Sequence, residues 1–291
     1  MEIIKRRRPR AILRGLFLLT HPVPVLLHIV GVALFALLAA WPTIAWKTFV
    51  LVVLAHALMQ LAIAILNDYS DRRQDALSKK LKPIPLGLIR PGEALLLGVL
   101  CVGLMLIVLL FLPPLALLIS LLYLAFGLAY NFGLKGTPFS GIVFALAIPL
   151  IPLYAFVGMG RIIPFVFWLV PVAALLGIAL NLANSLPDIE DDAAQGVRTL
   201  AVTLGLRASV LACPMLILLA LVTILVLTFT RTVAVQPAIV WLVVFVTVVL
   251  IVLQGVLSTS MRDIQKRKPY FYFVVITCLF LVIGWIVGAL L

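Results

Sequence analysis

The chain has 291 residues, 65% of them apolar and 11% charged, with a formal net charge of +12. An ordinary soluble domain is nearer half apolar and about a quarter charged, so a water-soluble globule, a disordered chain and a secreted disulfide scaffold are all excluded. What remains is an all-α, polytopic membrane protein, because a span needs about 20 apolar residues and this length holds roughly nine of them with short loops.

In chain order, residues 1–15 form a basic tail that includes Lys5, Arg6, Arg7, Arg8, Arg10 and Arg14. It resembles the front of a signal peptide, but no small-residue cleavage site follows a short apolar core, so it reads as a juxtamembrane tail that stays attached. Hydropathy then gives nine spans: 16–40, 46–66, 94–112, 115–133, 139–160, 162–184, 209–229, 238–258 and 271–291. The third and fourth meet at Pro113-Pro114, and the fifth and sixth near 158–161, both as tight turns. His21 and His28, seven apart in the first span, suit polar groups facing a cavity better than haem ligands. Cys101, Cys213 and Cys278 each stand alone in an apolar run and read as small buried hydrophobes, not as a zinc site or disulfide.

Orientation follows from the basic residues. Nineteen of the 22 Lys and Arg fall in the N-terminal tail and the loops after spans two, four, six and eight, against Lys47, Arg161 and Arg231 on the other side. The positive-inside rule places the N-terminus in the cytoplasm and, after nine spans, the C-terminus outside, in a cell (inner or plasma) membrane. The charge suits an anionic leaflet. It does not imply nucleic acid, since the basic residues lie in short loops with no reading module. No protein partner can be inferred.

All ten acidic residues fall on that same side, and seven of them lie in two short windows: Asp68, Asp71 and Asp75, then Asp188, Glu190, Asp191 and Asp192. Asn67, Asp71 and Asp75 are spaced i, i+4, i+8, so they share a face if span two continues as a helix. Gln60 and His56 extend that stripe into the membrane, and Asn181, Asn184, Ser185, Asp188 and Asp192 form a second one at the end of span six. Polar side chains at such depth face a bundle interior or a wet cavity. Stacked carboxylates repel one another, so a cation must offset them. Lys and Arg neighbours are one source. Mg²⁺, which takes carboxylate and amide oxygens and completes its shell with water and substrate phosphates, is the other. Facing acidic ends with cations between them suit a Mg²⁺-bound diphosphate.

These residues carry a resemblance. Asn67-Asp68-Tyr69-Ser70-Asp71-Arg72-Arg73-Gln74-Asp75 resembles the NDxxDxxxD motif of the UbiA superfamily of intramembrane polyprenyltransferases. Lys82-Pro83-Ile84-Pro85-Leu86-Gly87 and the following Glu93-Ala94 are similar to its R-P-[IL]-P-x-G…E-A stretch, with Lys82 where Arg is commoner. Asp188 to Gly196, followed by Arg198-Thr199-Leu200 and Gly205, resembles its DxxxDxxxG motif, and Tyr130 with Lys135 its Tyr…Lys element. The resemblance covers essentially the whole chain, and two motifs in order in the right loops are highly specific.

The resemblance implies a single transmembrane domain over 1–291: nine helices in one bundle around a central cavity, with cytoplasmic motif loops at 67–93 and 185–208. It implies a polyprenyl diphosphate donor and Mg²⁺ as cofactor. Asp71, Asp75, Asp188 and Asp192 would be catalytic through the metal. Asn67 would join them as a ligand, and Asp68 as a supporting residue or alternative ligand. Lys135 and Arg198 by motif position, and Lys79 and Lys82 by closeness to Asp75, are diphosphate-binding candidates. His56, Gln60, Tyr130, Asn181 and Asn184 would line the substrate cavity. Phe126, Tyr130, Phe132, Tyr154 and Trp168 are candidates for cation–π contact with an allylic cation. The resemblance implies a small or lipid-soluble acceptor, with an aromatic ring of quinone-type biosynthesis the commonest case. Chlorophyllide, a glyceryl phosphate lipid, an intramembrane terpene cyclase needing no acceptor, and a non-enzymatic carrier are the alternatives.

Overall fold

A computed structural model describes residues 8–76 and 82–291. Its helices are α1 (Pro9–Leu19), α2 (Pro22–Ala40), α3 (Trp46–Asp75), α4 (Pro91–Leu109), α5 (Pro114–Asn131), α6 (Ser140–Ala147), α7 (Leu150–Gly158), α8 (Phe165–Ser185), α9 (Ile189–Ala194), α10 (Leu200–Leu204), α11 (Leu206–Phe229), α12 (Pro237–Ser258) and α13 (Ile264–Leu290). Among the described residues nine segments are helical, long and apolar enough to cross a membrane, as the hydropathy pattern requires. Five of the helices, α1, α2, α4, α5 and α12, open on proline at their first position, where its fixed φ fits the helix and its missing N–H costs nothing.

Two spans depart from the sequence reading. The stretch 16–40 is not one helix: it breaks at Thr20-His21-Pro22, and His21 takes the left-handed conformation at φ 45°. A residue before proline is pushed out of the α region, so the break is written in the sequence, but the continuous hydropathy hides it. The freed α1 is amphipathic. Gly15 and Leu19 are buried, while Arg10, Leu13, Arg14 and Phe17 are exposed, the pattern of a helix lying in a membrane interface. Its buried face joins Ile65, Ile84 and Ile89 in a small core beneath the segment after α3. The span 139–160 also bends, between α6 and α7 at Pro149, because proline withdraws a helix hydrogen bond.

The bundle is apolar inside and out. α4 buries Gly98 and Met105 and turns Leu96, Val99, Leu100, Leu104 and Ile107 outward, as a lipid-facing helix does where burial of oil against oil gives little drive and close packing decides the interface. α3 packs against α2, α4 and α5, and α8 against α6, α11 and α13. At Gly177 of α8 a Cβ would stand 2.5 Å from the backbone oxygen of Phe144 in α6, so only glycine lets these two helices approach so closely.

Candidate functional site

α3 continues unbroken to Asp75, which meets the condition for a shared acidic face. A cavity of about 520 Å³ opens beneath that face. It is lined by Asn67, Asp71 and Asp75 from α3 and by Asn184 and Asp188 from α8 and the turn after it. The two acidic segments therefore line one hollow, although Asn67 and Asp188 lie far apart in the chain. Asp192 stands on α9, one helical turn after Asp188, and is not among the residues lining the cavity. A hydrogen bond from Gln74 to Gln195 Oε1 at 2.9 Å joins the two motifs directly.

Lysine ammonium groups offset the repulsion among the carboxylates. Lys135, on the turn after α5, donates to Asn67 Oδ1 at 3.2 Å and to Asp71 Oδ2. Lys82 donates to Asp68 Oδ1 at 2.6 Å, and the same oxygen lies 2.8 Å from His21 Nε2. Asp68 is buried and is not among the residues lining the cavity. It ties the α1–α2 break and the segment after α3 to the motif, and this pairing accompanies the left-handed backbone of His21. Ser70 Oγ reaches the Asn67 carbonyl at 2.8 Å and Asp71 Oδ1 at 3.2 Å, fixing the motif helix locally.

The second motif is held from α13. Arg267, itself 1% exposed, donates from Nε to the Met261 carbonyl at 2.8 Å, from Nη1 to the Leu186 carbonyl at 3.0 Å, and from Nη2 to Glu190 Oε1 at 2.7 Å. Leu186 and Glu190 flank Asp188 on either side. After α9 the chain turns at Gly196, φ 75°, and Val197 N–H reaches back to the Asp192 carbonyl at 2.9 Å. That is a left-handed helix stop which glycine enters without penalty, and it supplies the physical reason for the last residue of the DxxxDxxxG pattern.

Other expected site residues divide by place. Lys82, Gln60, Tyr130 and Asn184 line the cavity. His56 and Asn181 are buried behind it: His56 lies 3.2 Å from Gln60 Nε2, and Asn181 Oδ1 accepts from Ser140 at 3.1 Å. Arg198 is exposed, and its backbone N–H meets the Gly136 carbonyl at 3.1 Å, beside the turn that carries Lys135. Lys79 lies outside the described residues. Of the five aromatic candidates only Tyr130 lines the hollow. Tyr154 stacks on His56 and bonds the Val52 carbonyl, while Phe132 and Trp168 face outward. Phe35, Tyr123, Phe144 and Phe271 line it beside Tyr130. Sequence reasoning also missed Tyr123, Arg267 and the His21–Asp68 pair. Tyr123 had a signal, standing seven residues from Tyr130 and so on the same face of α5.

Asn67, Asp71, Asp75, Asn184 and Asp188 offer carboxylate and amide oxygens, the hard donors that Mg²⁺ takes. Among the described residues no three His, Cys, Asp or Glu side chains enclose an ion by themselves. Oxygen donors of this kind fit a Mg²⁺ whose remaining positions are taken by water and phosphate oxygens.

Residues 27–276 match the UbiA prenyltransferase family. A digeranylgeranylglyceryl phosphate synthase of Natronomonas pharaonis is 34% identical over 147 residues, 50% of this chain and 52% of that protein. A 4-hydroxybenzoate octaprenyltransferase of Vibrio vulnificus is 28% identical over 187 residues, 58% of this chain and 64% of that protein. The chain thus spans between about half and two thirds of the length of the curated relatives it matches. Among solved structures, one described as addressing digeranylgeranylglyceryl phosphate synthase in membranes superposes with a TM-score of 0.70 at 19% identity, covering 96% of this chain and 99% of the other. A UbiA homologue from Archaeoglobus fulgidus bound to DMAPP and Mg²⁺ gives 0.69 at 19% identity, covering 95% and 100%. The nine-span bundle, its paired acidic motifs and the match over residues 27–276 lead to one conclusion: the chain belongs to the UbiA prenyltransferase family.

Proposed function

We propose that the chain transfers a prenyl group from a polyprenyl diphosphate to a membrane-accessible acceptor, with Mg²⁺ as cofactor, and that residues 1–291 act as one transmembrane domain. The observation that carries this reading is the single hollow with acidic residues of both motifs at one end and apolar walls beyond them. Family membership and the neighbour holding DMAPP and Mg²⁺ support it.

Asn67, Asp71, Asp75, Asp188 and Asp192 would hold the metal, which supplies Lewis-acid stabilisation of the diphosphate leaving group. The chain's own groups do the rest. Lys135 and Lys82, standing at the motif carboxylates, bring positive charge to the phosphate oxygens, and Arg198 and Lys79 are candidates to add to it from the neighbouring loops. The apolar walls, among them Leu176, Leu180, Val275 and Val282, take the isoprenoid tail and keep water from the allylic carbon. Tyr130 and Phe144, in edge contact with ring centroids 5.3 Å apart, offer aromatic faces near the reacting end. The asymmetry of Lys and Arg supports an orientation with the motif end and the N-terminus in the cytoplasm and the C-terminus outside.

For the acceptor we favour an aromatic ring of quinone-type biosynthesis, in line with the hydroxybenzoate relatives. A glyceryl phosphate lipid is the second reading, favoured by the Natronomonas match. The test is turnover of labelled geranylgeranyl diphosphate in proteoliposomes with Mg²⁺, supplied in turn with hydroxybenzoate, naphthoate and geranylgeranylglyceryl phosphate. Prenylation that stops with EDTA and returns with Mg²⁺ is expected. A cyclic hydrocarbon formed with no acceptor present would replace the transferase by a cyclase.

A further inference from the structure

Three segments that line the cavity each include a pair of polar residues on it seven positions apart: His21 and His28 on the α1–α2 segment, Asn67 and Gln60 on α3, Tyr130 and Tyr123 on α5. Seven residues are two helical turns, or about 10 Å. The first member of each pair stands at the motif end. The second members form a lower ring well inside the membrane. Nothing in a donor's hydrocarbon tail calls for such a ring, and polar groups at that depth are costly unless they are used.

The ring is incompletely bonded within the protein. Gln60 Nε2 lies 2.9 Å from Tyr123 Oη, 3.2 Å from His56 Nε2 and 3.3 Å from His28 Nδ1. An amide nitrogen has only two hydrogens for these three acceptors. One of the three is therefore left without a proton from Gln60, and His28, at the longest distance, is the one with most hydrogen-bonding capacity to spare. Among the described residues nothing bonds His28 Nε2, nothing accepts the Tyr123 hydroxyl proton, and nothing donates to Gln60 Oε1. The lower ring therefore offers the Tyr123 hydroxyl proton as donor and Gln60 Oε1 as acceptor to the hollow, with the His28 imidazole beside them, from side chains that mostly resist reorientation: Gln60 is 6% and Tyr123 7% exposed. No Lys or Arg lines the cavity at this level; Lys82 and Lys135 are both at the motif end and engaged with Asp68 and Asp71.

We propose that His28, Gln60 and Tyr123 form an acceptor subsite that binds an uncharged hydroxyl on a ring, about 10 Å below the acidic mouth. A hydroxyl both donates and accepts, so one such group serves Gln60 Oε1 and a donor at once. A carboxylate or phosphate would be buried there without a cation, which the apolar walls penalise heavily. The subsite rests on the prenyl-transfer reading: the reacting carbon of the donor lies between the two rings, and the acceptor hangs from the lower one.

The test uses the purified full chain in detergent and equilibrium dialysis against 2-naphthol, 2-methoxynaphthalene and 2-naphthoate, with protein-free micelles as blank. The expected result is 2-naphthol held about tenfold more tightly than its methyl ether, the worth of one or two hydrogen bonds, with 2-naphthoate weakest. Gln60→Leu and Tyr123→Phe should each shrink the tenfold preference to threefold or less. Tyr123→Phe removes one oxygen and keeps the ring, so it carries the test if Gln60→Leu does not fold. Equal binding of naphthol and ether, a preference that survives both substitutions, or tightest binding of naphthoate would overturn the subsite. Mg²⁺-dependent binding of geranyl S-thiolodiphosphate is measured in parallel. Its loss with the naphthol preference intact would sink the donor site and leave the lower ring standing, and the converse would sink the ring alone.

Discussion

Arg267 and Glu190 form a two-pronged ion pair that fastens the last helix to the second acidic segment, Nη2 to Oε1 at 2.7 Å and Nη1 to Oε2. The two partners are not equivalent. Glu190 is half exposed, whereas Arg267 is buried and also serves the Met261 and Leu186 carbonyls. Arg267→Ala should destabilise the protein by about 2–4 kcal/mol, since it strands buried acceptors as well as the carboxylate. Glu190→Ala should cost less, about 1–2 kcal/mol, because the buried guanidinium loses its carboxylate but keeps both carbonyl acceptors. Denaturant unfolding in detergent checks the ratio. Leu186 and Glu190 bracket Asp188, so Arg267→Ala should also raise the donor KM about tenfold with a smaller change in kcat, and Arg267→Lys should restore only part of it, lacking the fork. Equal stability losses for the two alanine variants would remove the clamp.

At Gly196 the sequence motif and the backbone geometry coincide. Its φ of 75° and the Val197–Asp192 bond of 2.9 Å end α9 and aim the chain back toward Gly136. Gly196→Ala should cost about 1 kcal/mol, and Gly196→Asn less, because asparagine tolerates the left-handed region. Thermal unfolding of the two variants side by side is the measurement, with Asn above Ala in Tm as the expected order.

The spans were legible because each is a long apolar run bounded by proline or charge. The acidic jaws were legible because Asn67, Asp71 and Asp75 keep helical spacing that α3 honours to its last residue. What hydropathy could not show was the break at His21, whose flanks are as apolar as any span. Nor could it separate residues by which way they turn: His56 and Gln60 are one turn apart, yet only Gln60 reaches the hollow. Arg267 looked like one more loop cation, and its burial depends on where α13 lands against Leu186, a long-range contact with no local signature.

The depth of the cavity makes a prediction about the tail. Ala173 and Asp188 both line it from the α8 side, and fifteen residues of helix separate levels by about 22 Å. Ala173→Phe should therefore raise the KM for geranylgeranyl diphosphate about tenfold while changing that for dimethylallyl diphosphate less than threefold. Leu176→Phe, nearer the motif end, should penalise both long and intermediate donors. If substitutions at Asp71 altered chain-length preference and these did not, the tail would lie elsewhere.

Asp68 poses the sharpest question at the acidic mouth, because its motif position suggests a metal ligand while its surroundings are those of a support. Its Oδ1 takes both Lys82 and His21, and it is buried away from the lining of the hollow where Asp71 stands. A support loses function by slackening: Asp68→Asn keeps the size and one acceptor oxygen, so it should lower kcat less than tenfold and leave the Mg²⁺ concentration for half-maximal activity within threefold of the parent. Asp71→Asn and Asp192→Asn, at the carboxylates proposed to hold the metal, should lower turnover by two orders of magnitude or more. His21→Asn tolerates the left-handed backbone but gives up the imidazole, and should resemble Asp68→Asn. Mg²⁺ titrations of the four variants decide the matter. A large rise in the Mg²⁺ requirement for Asp68→Asn, with none for His21→Asn, would move Asp68 from the support into the metal site.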